Sequence, residues 1–481
     1  LINAKRKLHK NKQLSIDAPL EIGSKNDKSA AVISDLKDPA KTQETNVTGT
    51  TWCIDFLCPG VSIIKPLVGV DMNLLDNLET VSVIIIQQNF QISKQASKFQ
   101  INLKHNLTSS IHIPPIATQF FNMGYPVYEL LFCVQDVTDP AIELVYKLMS
   151  KYPHANTKLF ISFNCFVIIY DNLTKQQTFK AVCGEKRGVN PKINNMLPAY
   201  EASRYELILI SDSGIRMKKN TLSDMIYHMK DDIALVHQMP FIDWNTVSSL
   251  VEKVYFGTAH ARAYLSADLL GINCSTGMSA LMRKFLIDEV GGLGAFGEYL
   301  AEDYFFAKSF TDRGWKLSIS SQPAWQNAAP LTTDSNRWSH TVQFYQRISR
   351  WIKLRLAMVP FLTFIEPLTE CMALGLLAAP SVSFVINTIL HAHIVHPATL
   401  YIGHILVWLI FDYILMIVVQ NGPVRFSKLE FLFAWLIREC SALIVFIDAI
   451  RDQNICWRSR VFRLKWGGKA YEIPPAKLAP S

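Results

Sequence analysis

The stretch LAEDYFFAKSFTDRGW (residues 300–315) sets two adjacent acids, Glu302 and Asp303, directly before Tyr304, Phe305 and Phe306. A carboxylate packed against aromatic neighbours is shielded from water; its pKa rises, and it becomes a usable general base near neutral pH. Three other stretches carry residues of matching use. CVQDVTDP holds Asp136 and Asp139, ISDSGIR holds Asp212, and RISRW holds Arg347, Arg350 and Trp351. Carboxylates ligate hard divalent cations, and arginine forks match phosphate oxygens two at a time. A site drawing on all four stretches could move a proton and hold negative charge such as that of a phosphate group. Each stretch also has a plainer reading. An acid after a strand caps a helix, an acid pair suits a helix start, and a basic run beside apolar sequence anchors at a membrane surface.

The elements that must position these residues alternate between strand and helix patterns. GVSIIKPLVGV (60–70), YELLFCVQD (128–136) and YELILISDSG (205–214) are apolar, β-rich runs, and the last two end in acids. Residues 140–152 carry a helical period with Pro140 near its first turn. Strands alternating with helices of this length predict an α/β fold with a mostly parallel sheet, whose carboxyl ends converge on one ligand crevice.

At 481 residues the chain is long enough for two or three units, and its mean hydropathy of +0.15 conceals a split. Residues 358–390, 398–419 and 431–450 are apolar and each long enough to cross ~30 Å of hydrocarbon, so about three transmembrane helices are expected. Glu366, Glu370, Asp412, Arg438 and Glu439 are costly in lipid and should face other helices or a polar cavity. The expected organisation is a flexible segment over 1–58, a catalytic domain over 59–350 and a membrane region with a basic tail over 351–481. Residues 81–120 and 162–182 break the strand–helix rhythm and read as insertions. The basic, apolar-poor start LINAKRKLHKNK is not a signal peptide; it reads as a disordered tail or as the flank of an upstream membrane helix.

The net charge of +8 gathers beside the apolar segments, which ranks a membrane surface and a diphosphate above nucleic acid as partners. Nine scattered cysteines include no CxxC pair and no zinc-ligand spacing, as suits buried thiols in a reducing compartment. Sequons at Asn46, Asn106 and Asn172 do not by themselves establish a lumenal location.

Read in order, the acids and RxxRW resemble the D,D,D,(Q/R)xxRW pattern of membrane-bound glycosyltransferases with the GT-A fold. Longer segments, among them GVNPKINNMLPAYEASRYELILISDSGIR, TGMSALMRK, AEDYFFAK and FSKLEFLFAWLIRE, resemble the ceramide glucosyltransferase family from about Gly60 to Gly468. The resemblance implies a GT-A-type, Rossmann-like domain that transfers glucose from UDP-glucose to the primary hydroxyl of ceramide with inversion. It also implies a multi-pass Golgi enzyme whose catalytic domain faces the cytosol.

In that reading Asp303 is the general base, with Glu302 orienting or binding. Asp139 sits in the nucleotide pocket, with Asp136 as runner-up, and Lys192, Asn194 and Asn195 in NPKINN lie on the donor side. Asp212 is the candidate ligand for a divalent ion, Mg²⁺ or Mn²⁺, although a lone Asp stands where many GT-A enzymes carry DxD. Arg347, Arg350 and Trp351 contact diphosphate and acceptor, and His260 and Cys274 line the acceptor entrance. Two other readings share the acid pattern. A polysaccharide synthase would yield polymer rather than lipid-extractable product, and an inactive membrane scaffold would yield none.

Overall fold

The computed structural model describes Leu8 and residues 59–79, 127–181, 188–327 and 337–474, apart from 72, 164–165, 219, 243–248, 392–393, 425 and 458–459. The expected flexible segment 1–58, except Leu8, and the expected insertion 81–120 fall outside these residues.

A nine-stranded sheet forms the centre of the part that precedes the long helices, in the order β11-β8-β10-β6-β1-β2-β3-β4-β5. β1 (Val61–Leu67), β2 (Tyr128–Val134), β3 (Thr157–Phe163) and β6 (Leu207–Ser211) form its parallel middle. All strands but β10 (Ser279–Arg283) and β4 (Phe166–Asp171) run the same way, including β8 (Ile233–His237), β11 (Lys316–Ile319) and β5 (Gln177–Ala181). The sheet is therefore mixed and mostly parallel. Its middle strands are buried along nearly their whole length, because helices cover both faces and a pleated strand then has no solvent side. Within 162–182, β4 and β5 extend the sheet edge as an antiparallel hairpin.

On one face packs α1 (Ala141–Lys151), which buries Ala141, Val145, Leu148 and Met149, the stripe a 3.6-residue period produces. On the other face lie α2 (Pro191–Ala202) and α7 (Glu302–Thr311). Between these, α3 (Thr221–Tyr227), α4 (Leu250–Gly257), α5 (Ala259–Leu270) and α6 (Lys284–Asp288) complete the domain. Three short strands, β7 (Ile215–Arg216), β9 (Pro240–Ile242) and β12 (Ala324–Gln326), form a second small sheet.

The carboxyl-terminal part is helical: α8 (Arg337–Met358), α9 (Pro360–Ile365), α10 (Cys371–Ile389), α11 (Pro397–Gln420) and α12 (Lys428–Arg451). Among the described residues, α10 and α11 are the two helices long and apolar enough to cross a membrane. The third expected span, 431–450, lies within α12, which carries Arg438, Glu439 and Asp448 inside it and does not share that apolarity. A three-stranded meander, β13 (Asn454–Trp457), β14 (Arg460–Leu464) and β15 (Ala470–Ile473), ends the described chain.

The charged residues of the helical part find partners that no sequence pattern names. Arg262 of α5 bonds Glu370 at 2.9 Å and also Asp412, while Arg438 bonds Glu370 at 3.0 Å and also Glu439. Trp435 Nε1 donates to Asp412 Oδ2 at 2.8 Å. This cluster fastens α5 to the helices that follow the sheet.

Candidate active site

Because β1, β2 and β6 run in parallel, their carboxyl ends lie along one edge of the sheet. Asn195 of α2 joins two of these ends to the helix layer, its Nδ2 donating to Cys133 O at 3.2 Å. Asp139, just past β2, accepts the Gly69 N–H at 2.8 Å and the Ala141 N–H at 2.9 Å. It therefore ties the exit of β1 to the first turn of α1. Gly69 makes this approach at a φ of 65°, where an L side chain would be strained. Asp136 is exposed and turned onto its own loop, accepting the N–H and hydroxyl of Thr138 at 2.9 Å each.

Past β6 the geometry tightens around one ammonium. Asn190 caps α2 by accepting the Lys192 N–H at 2.8 Å, and Pro191 fills the first helical position, where its missing donor costs nothing. The next side chain, Lys192, reaches inward: its Nζ lies 2.9 Å from Asp212 Oδ1, 3.1 Å from Glu302 Oε1 and 2.9 Å from Gly277 O. Glu302 is buried, and its other oxygen accepts from Asn190 Nδ2 at 2.9 Å. Burial works against the Lys192 charge, but the carboxylates of Asp212 and Glu302 outweigh it and hold its pKa above the ordinary lysine value. A second ammonium, Lys65, is fully buried in β1 and donates to Ser211 Oγ at 3.1 Å and Asp212 O at 3.2 Å. Burial brings its pKa down to about 8 against the pull of Asp212.

Asp303, beside Glu302 in the first turn of α7, is held at both oxygens. Gly277 N–H donates to Oδ2 at 2.6 Å and Tyr304 N–H to Oδ1 at 2.9 Å, while Ser275 Oγ donates to the Asp303 carbonyl at 3.0 Å. Burial, with the Glu302 charge adding to it, pushes the Asp303 pKa up to about 6, although Lys192 and the two N–H donors oppose the shift. Lys192, Thr276, Gly277, Glu302, Asp303 and Phe306 line one small cavity. A Cβ at Gly277 would stand 3.2 Å from Lys192 Nζ and 3.3 Å from both Glu302 Oε1 and the Asp303 Cβ, so a side chain there would press on all three residues.

The RxxRW stretch lies on α8, where spacings of three and four put Arg347, Arg350 and Trp351 on one face. Arg347 bonds Glu252 of α4, and its Nη1 lies 3.4 Å from Gln326 Oε1. Burial brings its pKa down to about 10, with Arg350 adding to the shift. Arg350 rests over the Trp457 ring at 5.6 Å; burial lowers its pKa, and the charge of Glu302 opposes that change. Trp351 joins an aromatic group with Phe256 and His260, at ring separations of 6.0 and 6.2 Å. His260 stacks on Tyr264 at 5.1 Å, and burial, with Arg355 nearby, brings its pKa down to about 3, so the imidazole is neutral. Burial likewise pushes the Cys274 thiol up to about 12. Asn194 turns its amide to Gly188 O at 3.0 Å.

The structure therefore joins Lys192, Asp212 and Glu302 directly, sets Asp303 in the same cavity as Lys192 and Glu302, and brings Arg350 within electrostatic reach of Glu302. Asp139 and Asp136 sit farther along the same sheet edge, and His260 and Trp351 belong to the helical layer. Among the described residues, no group of three or more His, Cys, Asp or Glu side chains is placed to hold a metal ion. Sequence reading missed Lys65, Gly277 and Glu252. A lysine in the middle of a β-branched, buried run was a signal for the first; the other two matter only through distant partners.

The arrangement supplies a held carboxylate with a raised pKa beside buried cations, which suits taking a proton close to a group that gathers negative charge. The sequence profile described as glycosyl transferase family 21 matches residues 116–165 and 175–470. Ceramide glucosyltransferase 3 of Caenorhabditis elegans is 39% identical over 424 residues, covering 88% of this chain and 76% of that protein. Ceramide glucosyltransferase 1 of the same organism is 38% identical over 414 residues, covering 85% and 73%. Among solved structures, the mannosyltransferase PcManGT from Pyrobaculum calidifontis, in complex with GDP-Man and Mn²⁺, is similar at a TM-score of 0.41 and 12% identity, over 88% of this chain and 93% of that one.

Proposed function

The chain belongs to glycosyl transferase family 21, and from that premise we propose that it transfers glucose from UDP-glucose to the primary hydroxyl of ceramide with inversion. Its curated relatives carry the name ceramide glucosyltransferase, which supports a sugar transfer to this lipid. The observation that carries the mechanism is the Asp303 carboxylate, fixed by two backbone N–H groups and shielded until its pKa reaches about 6.

In the proposed step, Asp303 removes the proton from the ceramide primary hydroxyl as that oxygen attacks the anomeric carbon. The new carbon–oxygen bond forms on the face opposite the breaking bond to UDP, so an α-linked donor yields a β-glucoside. Negative charge then gathers on the diphosphate. Arg350 and Lys192 are the cations assigned to it, because a guanidinium fork and a buried ammonium hold phosphate oxygens without reorganising during reaction. Asp139 and Asp136 line the nucleotide side with Asn194, and Glu302 keeps Lys192 in place. Trp351 and His260 form the aromatic wall of the acceptor approach, with Arg347 bracing the helix that carries Trp351.

Mg²⁺ or Mn²⁺ belongs to this reading as the partner of Asp212. A single part-exposed protein carboxylate suits an ion that takes its remaining oxygens from water and substrate phosphate. When bound, it would supply counter-charge to the leaving diphosphate. The proposed setting is a multi-pass Golgi enzyme with the catalytic domain in the cytosol, where UDP-glucose is made. The apolar helices α10 and α11 support the membrane part of that reading.

Purified full-length protein in ceramide-containing vesicles, given radiolabelled UDP-glucose, should yield a labelled lipid that extracts into organic solvent, and Asp303→Asn should abolish it. Label that stays in aqueous polymer, or lipid product undiminished in the variant, would refute the proposal.

A further inference from the structure

At the β14–β15 turn, Trp466 is 80% exposed, the most open large apolar side chain among the described residues. The turn that presents it is firmly held. Gly467 N–H donates to Ala357 O at 3.0 Å, near the end of α8, and Lys465 N–H to Lys469 O at 2.7 Å. Gly467 and Gly468 both take a φ of 85°, so the turn has a backbone that only glycine adopts freely.

Its anchor sits where the chain becomes apolar on the outside. Three residues after Ala357 begins α9, whose Phe361 is 74% exposed and whose Leu362, Phe364 and Ile365 are exposed beside it. The first apolar helix, α10, starts six residues beyond α9. Exposed Arg463, Lys465 and Lys469 flank the tryptophan. Monomeric proteins rarely leave such a patch in water, whereas an amphipathic indole ringed by lysine and arginine suits the headgroup level of a bilayer.

The meander also grips the segment that leads into α7. Ala470 N–H donates to Glu298 O at 2.8 Å, and Lys469 Nζ meets Glu298 Oε2 at 2.6 Å. Tyr299, bridged to Lys469, stacks on Phe305 at 3.7 Å, two residues from Asp303. We infer that the β14–β15 turn is a membrane-docking element which seats Trp466 in the interface of an anionic bilayer and so sets the height of the 298–305 segment above the lipid. The inference rests on α10 and α11 crossing that bilayer. It concerns no residue assigned to the transfer itself.

The test uses full-length protein reconstituted in vesicles of phosphatidylcholine and phosphatidylserine, with bromine placed shallow or deep on the acyl chains. The chain has ten tryptophans, so each contribution is read as the difference between wild type and a single Trp→Phe variant. The Trp466→Phe difference is expected to disappear with shallow bromine and to resist aqueous iodide. Trp408→Phe, within α11, is the control for the spans and should show quenching by deeper bromine. Lys465→Glu should reduce the Trp466 quenching in vesicles containing phosphatidylserine and leave it unchanged without that lipid. If iodide quenches the Trp466 contribution and bromine does not while Trp408 behaves as a span, the docking inference is wrong. Cross-linking of position 466 to a second copy or to another protein would likewise overturn it. If deeper bromine leaves the Trp408 contribution unquenched, the span reading beneath it is overturned instead.

Discussion

Lys192 Nζ lies 2.9 Å from Asp212 Oδ1 and 3.1 Å from Glu302 Oε1, so one ammonium in the first turn of α2 joins the carboxyl end of β6 to the start of α7. Replacing it with an apolar side chain leaves buried Glu302 facing Asp212 with no cation between them. Lys192→Met is expected to cost about 3 kcal/mol of stability, the scale for breaking a buried ion pair. Adding Glu302→Gln should restore part of that loss without restoring transfer. Thermal midpoints of the purified variants beside transfer rates would check both.

Asp303, the proposed base, has a pKa raised to about 6, which gives the pH profile a direction. The deprotonated carboxylate is the active form, so kcat/KM should rise with pH through about 6 and then level. The stability linkage runs oppositely. Because the folded pKa exceeds the unfolded one, the folded state binds more protons between about 4 and 6, and the group's contribution weakens as pH rises through that window. Asp303→Asn should therefore abolish the acid limb and the activity without lowering the thermal midpoint at neutral pH.

Arg347 is committed to Glu252, whereas Arg350 stands over Trp457 within reach of Glu302. The two arginines of one motif should therefore fail differently. Arg347→Met and Glu252→Gln should each cost about 2 kcal/mol of stability, and the double variant little more than either, as expected of one shared contact. Arg350→Ala should mainly raise the KM for the proposed UDP-glucose donor, by about tenfold or more, since it removes the proposed charge-assisted phosphate contact. Denaturation curves and initial rates separate these outcomes.

Arg262 of α5 meets Glu370 and Asp412 of the helical part. Arg262→Met would leave both acids dependent on Arg438, with a loss of about 3 kcal/mol or more expected. Limited proteolysis of protein in vesicles should then show the 337–370 region cut sooner than in wild type. Equal cleavage rates would show that the cluster does not fasten the two parts.

Much of this molecule is legible from local pattern. The runs 60–70, 128–136 and 205–214 read as buried strands and form β1, β2 and β6, because a strand covered on both faces must be apolar throughout. Two of the apolar stretches past residue 358 supply α10 and α11 for the same kind of reason: length and hydropathy are summed along the chain. The hairpin β4–β5 escaped because its outer strand is exposed along its length and carries no alternation. The charges inside α12 likewise hid the fact that Arg438 and Glu439 are paired.

Sequence alone determined which residue types were present to act as base, cation and ligand, and which segments had to be buried. Tertiary structure decided which of them meet. It set Lys192 between Asp212 and Glu302, gave Asp303 its two backbone donors, turned Arg347 toward Glu252 and placed Lys65 under the site. Periodicity records whether a side chain faces inward within its own element. It carries no information on distances between elements scores of residues apart, which follow from strand order and from helices packing across the sheet.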